Sequence, residues 1–250
     1  YNTLKSGLPN AIRVAKEYLE PNGYRLKGVR IDSGDMAYLS KKIRKALDEA
    51  GMQDCQIVVS NSLDEFLIES LLSQGAQIDS LGVGENLVTS KSSPVFGGVY
   101  KLCAVIKDGE IIPKIKVSEN IEKVTNPGMK NLYRIYDKES GMALGDIMTL
   151  VDETLDPSQD LTIYHQMNYW KNKTIPKGSY ELRDLLVPIF IDGQLVYDCP
   201  SLAEIRAYSE KELSHLWDEV KRFTYPQTYY VDLSRKLLDL KMKMLEEVPK

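Results

Sequence analysis

Read as apolar against polar positions, the chain carries two periods, one of helices and one of strands. From Leu8 to Leu19 the residues Ala11, Ile12, Ala15, Tyr18 and Leu19 share one helical face. Pro9 suits the first turn, and Pro21-Asn22-Gly23 ends it. Leu26 to Ile31 predicts a short strand, which runs into Asp32-Ser33-Gly34-Asp35. Met36, Leu39, Ile43, Leu47 and Ala50 then recur at helical spacing, with Ser33 or Asp35 as the cap and Gly51 as the stop. Ile57-Val58-Val59 is a β-branched run without alternation, the pattern of a strand buried on both faces, and it ends in Ser60-Asn61-Ser62. Leu63, Phe66, Leu67 and Leu71 mark a third helix that stops at Gly75. Ile78 to Val83 is a third strand, leading into Gly82-Val83-Gly84-Glu85-Asn86.

From Pro94 the pattern turns to strands. Val99 to Ile106 and Ile111 to Val117 flank the hairpin signal Asp108-Gly109, and a polar stretch runs from Ser118 to Lys130. Further strands are expected at Asn131 to Tyr136, Met148 to Val151, Leu182 to Ile191 and Leu195 to Tyr197, the last two around Asp192-Gly193. Ser201 to Ala207, Lys211 to Arg222 and Leu233 to Val248 read as helices, the last with Leu237, Leu240, Met244 and Leu245 on one face. Repeated strand–helix units imply α/β organisation with a parallel sheet over 1–106, and an α+β region follows over 107–250.

Composition narrows the classes. The 250 residues carry a formal charge of −4, which argues against a nucleic-acid platform. No apolar run approaches the ~20 residues of a membrane helix. Cys55, Cys103 and Cys199 are three and widely spaced, so a zinc or disulfide framework is not indicated, and a reducing cytoplasm is the simplest setting. Tyr1 already lies in folded-type sequence, as if the chain were part of a longer polypeptide.

The candidate chemistry sits after the strands. Glycines at a strand end bring backbone N–H groups close to an anion, and a helical turn beginning near Asn86 would add its own. Asp32 and Asp35 can be an Asx turn plus a cap, or can bind sugar hydroxyls or a Mg²⁺-bound phosphate with Arg30 alongside. Ser60 and Asn61 fit a helix cap or a rim loop, the cap being the commoner use. Lys123 and Lys130, near Pro127-Gly128, fit a solvated loop better than a pyrophosphate site. His165 and His215 form no catalytic or metal-ligand spacing, and His215 sits in a helical pattern that suits packing. In a barrel or an open α/β sheet, loops after successive strands build one rim.

Six collinear segments carry a resemblance. They are Tyr1 to Ile12, Arg30-Ile31-Asp32-Ser33-Gly34-Asp35, Ser60 to Glu65, Gly82 to Ser90, Gly98 to Leu102, and Lys116 through Lys130. Together they resemble the nicotinate phosphoribosyltransferase family, of the type II phosphoribosyltransferases, in order over essentially the whole chain. The resemblance implies part of an irregular α/β barrel followed by an α+β C-terminal region. It implies an ATP-coupled enzyme of NAD biosynthesis that joins nicotinate to phosphoribosyl pyrophosphate, with Mg²⁺ and ATP required and a homodimer as the assembly. Arg30, Asp32, Ser33, Gly34 and Asp35 match the segment that engages base and ribose. Gly82, Gly84, Glu85 and Asn86 would hold the 5′-phosphate, Ser60 and Asn61 match the neighbouring rim loop, and Lys123 and Lys130 would reach the pyrophosphate.

The resemblance also has gaps. The family's phosphorylated histidine matches neither His165 nor His215 and lies upstream of Tyr1, so no catalytic residue is assigned and negligible activity is expected of these 250 residues alone. Asn2 stands where the family commonly has an Asp. Two other readings are a half-barrel assembly module that needs a partner chain, and a nicotinamide or quinolinate relative.

Overall fold

The structure is a computed structural model describing residues 2–95, 97–120 and 123–247. Contacts divide it into two units, Tyr1–Gly98 and Val99–Lys250.

In the first unit the N-terminal helix starts earlier than its apolar stripe suggests. Asn2 accepts from the Lys5 amide at 2.8 Å, and a π-turn over Thr3–Gly7 leads into α1 (Leu8–Val14). A second π-turn, Ala15–Leu19, and a 3₁₀ turn, Glu20–Asn22, complete it. Then come β1 (Gly28–Ile31), α2 (Met36–Glu49), β2 (Gln56–Ser60), α3 (Glu65–Ser73), β3 (Ser80–Gly82) and the single turn α4 (Glu85–Val88). Asp35 caps α2 by accepting from Tyr38 N at 2.9 Å. Gly51 closes α2 with a paired-bond cap, Gly51 N to Asp48 O and Met52 N to Leu47 O; Gly75 and Ala76 close α3 in the same way.

The strands pair in parallel in the order β1-β2-β3. Ile31, Ile57 and Val59 face Ile43, Leu47 and Leu63 in one core. Here the structure corrects the expectation for β2. Ile57 and Val59 are fully buried while Val58 and Ser60 are half-buried, so the strand alternates and helices cover one face only. An apolar side chain on the open face looks the same in sequence as one on the covered face. Among the described residues these three strands form an open sheet, and no closed barrel is seen.

The second unit holds a mixed sheet of six strands. They are β6 (Lys130–Asp137), β7 (Ala143–Leu150), β8 (Leu161–Tyr164), β9 (Asn172–Ile175), β10 (Tyr180–Asp184) and β13 (Val231–Leu233), in the order β10-β6-β7-β13-β8-β9. Two hairpins accompany it, β4 (Ala104–Lys107) with β5 (Glu110–Pro113), and β11 (Phe190–Ile191) with β12 (Gln194–Leu195). Their turns, Asp108-Gly109 and Asp192-Gly193, have positive φ at both positions, as the dipeptides predict. Helices α5 (Leu202–Ser214) and α6 (Arg235–Glu246) follow.

Several boundaries differ from the pattern reading. The strand expected over Val99–Ile106 pairs only from Ala104. Leu182–Ile191 breaks after Asp184, ahead of Pro188, which cannot donate to a ladder. The two helices expected over 201–222 are one, capped by the reciprocal Ser201–Glu204 pair and ending at Ser214. Leu233 belongs to β13, and α6 begins beyond its cap Ser234. The short strands β8, β9 and β13 carry too few alternations to stand out.

A charged cluster ties α5 to this sheet. Arg134 donates to both Asp146 oxygens at 2.9 and 3.2 Å and to Glu212 at 3.1 Å, Arg183 donates to both Glu212 oxygens, and Tyr229 donates to Asp146 at 2.7 Å. The Arg183 guanidinium holds the Glu212 carboxyl below its ordinary value of 4.5. Because the folded value is the lower one, this stabilisation is present above pH 4.5 and is lost as pH falls through the folded value. Glu212→Gln should therefore flatten the acid limb of a melting-temperature profile below pH 4.5; an unchanged limb would show that the pair does not act on stability.

Candidate functional site

The period of a strand places the candidate residues. Arg30 registers with Val58, and Ser60 registers with Gly82, so side chains two apart project from the same open face. At the C-terminal ends three side chains meet. Arg30 Nε donates to Ser60 Oγ at 2.8 Å, Ser60 Oγ donates to Asp32 Oδ1 at 2.7 Å, and Arg30 Nη2 lies 2.9 Å from the same oxygen. Arg30 and Asp32 are more than half exposed, and an exposed ion pair contributes only about 0–1 kcal/mol to stability. The cluster orients groups toward solvent more than it holds the fold.

Gly82 completes this corner by what it lacks. A Cβ there would stand 3.1 Å from Ser60 Cβ, close enough that Ser60 would have to shift by a few tenths of an ångström. Gly84 is different: a Cβ there meets nothing within 4 Å, so its bare backbone faces open space. The amides of Glu85 and Asn86 open α4, where no carbonyl stands one turn back, and Gly84 brings no capping side chain.

Asn86 points the other way. Its Nδ2 donates to Ser62 O and Leu63 O at 3.0 and 3.1 Å. Those carbonyls lie in a turn where Asn61 and Ser62 both have positive φ, 98° and 50°, an uncommon pair for non-glycine residues. Asn86 thus fastens the glycine loop to the strained end of β2. The expected use of Ser60 and Asn61 as a helix cap is corrected: Asp64 caps α3, accepting from Leu67 N at 2.8 Å. The residue that sequence reasoning passed over was signalled only by its place one position before the helix.

The Asp32–Asp35 loop divides its duties. Asp35 is the α2 cap, Ser33 is exposed, and Gly34 turns at φ 80° against Leu39. Both carboxylates have partners within the chain, each through one oxygen: Asp32 Oδ1 with Ser60 and Arg30, and Asp35 Oδ1 with the Tyr38 amide. No group of three or more His, Cys, Asp or Glu suited to a metal occurs among the described residues. A cavity of about 450 Å³ lies nearby, lined by Asp64, Glu65, Val83, Asn86 and Leu87. Of the candidate residues it touches Asn86 alone, and its acidic wall makes it a poor seat for phosphate.

The remaining candidates lie in the second unit. Lys130 Nζ donates to Asn126 O and Gly128 O and so bridges its own loop, while Lys123 is exposed. His215 Nδ1 lies 2.8 Å from Gly141 O, and its ring packs edge-on against Tyr136. His165 Nδ1 accepts from the Met167 and Asn168 amides. No helix of the described residues is long and apolar enough to cross a membrane.

Residues 129–241 match the family described as nicotinate phosphoribosyltransferase C-terminal domain. The chain is 44% identical to the nicotinate phosphoribosyltransferase of Bacillus subtilis (strain 168), over 99% of this chain and 50% of that protein. It is 36% identical to the Homo sapiens nicotinate phosphoribosyltransferase, over 95% of this chain and 44% of that protein. The crystal structure of human nicotinic acid phosphoribosyltransferase superposes with a TM-score of 0.71 at 31% identity, covering 98% of this chain and 45% of that one. A nicotinate-nucleotide pyrophosphorylase from Pyrococcus furiosus, 20% identical with a TM-score of 0.51, shares the fold over 83% of this chain and 43% of its own. The chain spans about half the length of the curated relatives it matches. With its mixed α/β architecture and collinear motifs, the chain is similar, along nearly its full length, to one half of the nicotinate phosphoribosyltransferases.

Proposed function

We propose that this chain supplies the phosphoribosyl-binding rim of a nicotinate phosphoribosyltransferase, which joins nicotinate to phosphoribosyl pyrophosphate with ATP hydrolysis in NAD biosynthesis. One observation carries the reading: three successive strand ends meet, with Arg30, Asp32 and Ser60 hydrogen-bonded beside the side-chain-free corner at Gly82. Consecutive neighbouring strands with helices on one face are also the form of an arc of an α/β barrel, whose interior would be the open face carrying these residues.

In this reading the free Glu85 and Asn86 amides take the 5′-phosphate, and the Asp32 carboxylate accepts from the ribose hydroxyls. Asn86 and Ser60 hold those groups in place. Pyrophosphate leaves C1 through an oxocarbenium-like state, so the contribution of the rim is positional and electrostatic. Mg²⁺ arrives with the pyrophosphate, taking its oxygen ligands from the phosphates. Lys130 is engaged by two carbonyls of its own loop while Lys123 is exposed, and in this reading the whole enzyme works as a homodimer.

The test is a titration of the 250-residue chain with phosphoribosyl pyrophosphate. Gly84→Val fills the open space at the loop and should weaken binding at least about tenfold, the loss of one charge-assisted contact. Affinity that survives this change would remove the loop from the site.

A further inference from the structure

A second cavity, of about 330 Å³, lies within the second unit, lined among others by His165, Gln166, Thr228, Tyr230, Asp232 and Lys241. Lys241 is 3% exposed. Its ammonium donates to Asn126 Oδ1 at 2.9 Å and to Gln166 O at 3.1 Å, both neutral acceptors. A lysine has three such donors, and a buried donor is normally used. Burial pushes the Lys241 amine below its ordinary value. Bridging two carbonyl-type oxygens needs only a neutral amide, and a buried charge without a counterion is costly.

The other walls are equally specific. Because the Met167 and Asn168 amides donate to His165 Nδ1, the ring proton of the neutral imidazole sits on Nε2, which is a donor. Asp232 is 8% exposed, and burial raises its carboxyl while His165 and Lys171 act in the opposite direction. Lys171 lies 4.7 Å above the Tyr230 ring and donates to its hydroxyl at 3.1 Å, adding positive charge beside the cavity. Lys241, His165 and Asp232 thus line one space at the lower end of small-ligand sites, which begin at about 300 Å³.

We propose that this cavity binds a small oxyanion, a carboxylate or phosphate group seated on Lys241 and His165, on a molecule whose hydroxyl or ammonium donates to Asp232. The site lies in the second unit and does not rest on the rim reading.

The experiment is calorimetric titration of the full chain, in the Gly84→Val background to weaken the rim, with inorganic phosphate in one arm and glycolate in the other at fixed ionic strength. Saturable binding in at least one arm is expected, phosphate indicating a phosphorylated ligand and glycolate a hydroxy acid. Lys241→Met, which keeps the apolar stem, should weaken it at least about tenfold with an unchanged circular dichroism spectrum. His165→Leu, at a half-buried position, should weaken it by about three- to tenfold and decides the matter if the Met variant does not fold. No saturation in either arm at tens of millimolar, or equal affinity in the folded variants, overturns the site.

Discussion

Asp32→Ala is expected to weaken phosphoribosyl pyrophosphate binding by about 10- to 100-fold, the loss of one hydrogen bond to a charged group with its partner left unmatched. The variant removes the oxygen on which both Arg30 and Ser60 converge, so it releases the guanidinium as well as deleting an acceptor. Ser60→Ala separates these contributions. It leaves the direct Arg30–Asp32 contact at 2.9 Å and should cost only about threefold, because its two bonds, though to charged groups, lie at an exposed site. Equilibrium titration reads both. Equal losses in the two variants would mean that Ser60 touches the ligand itself, and no loss in Asp32→Ala would take the strand-end cluster out of the binding site. Since Asp32 is exposed and Ser60 is only half-buried in the free chain, unfolding free energies should stay within about 0.5 kcal/mol of the parent.

Asp146→Ala should destabilise the chain by about 3 kcal/mol, the lower figure for breaking a buried ion pair, since Glu212 still faces Arg134. Asp146 is 5% exposed and accepts from half-buried Arg134 and Tyr229, so its removal leaves the Tyr229 hydroxyl without its acceptor and Arg134 with Glu212 alone. For a protein of this size the loss corresponds to roughly 6–12 °C in melting temperature. Denaturant unfolding followed at the tryptophans measures it. A loss below about 1 kcal/mol would show the cluster to be interchangeable with solvent, as surface pairs are. Phosphoribosyl pyrophosphate affinity of the folded fraction should be unaffected, because the cluster belongs to the second unit.

How much of this could be read in the chain varies residue by residue. Arg30, Asp32, Gly82 and Gly84 stood out because strand ends followed by acids and glycines are local patterns. Asp35 could be read either as a cap or as a ligand, and the structure gives it to the helix. Ser60 had the opposite outcome. It looked like a cap, but the cap is Asp64, and Ser60 bonds to residues 28 and 30 positions away. Lys241 went unnoticed because a lysine in a long helix reads as solvated, although it follows Leu237 by four positions and shares its buried stripe. Lys130 looked free for a ligand until its amine was found on two carbonyls of its own loop.

The strand–helix order of the first unit, the stop at Gly51 and the two Asp-Gly hairpins were settled by the sequence alone, because each depends on residues within a few positions of one another. The one-sided cover of β2, the meeting of Arg30, Asp32 and Ser60, and the burial of Lys241 were decided only in three dimensions. Each of those depends on which distant strand or helix lies alongside, and the side-chain pattern of one segment carries no record of its neighbour.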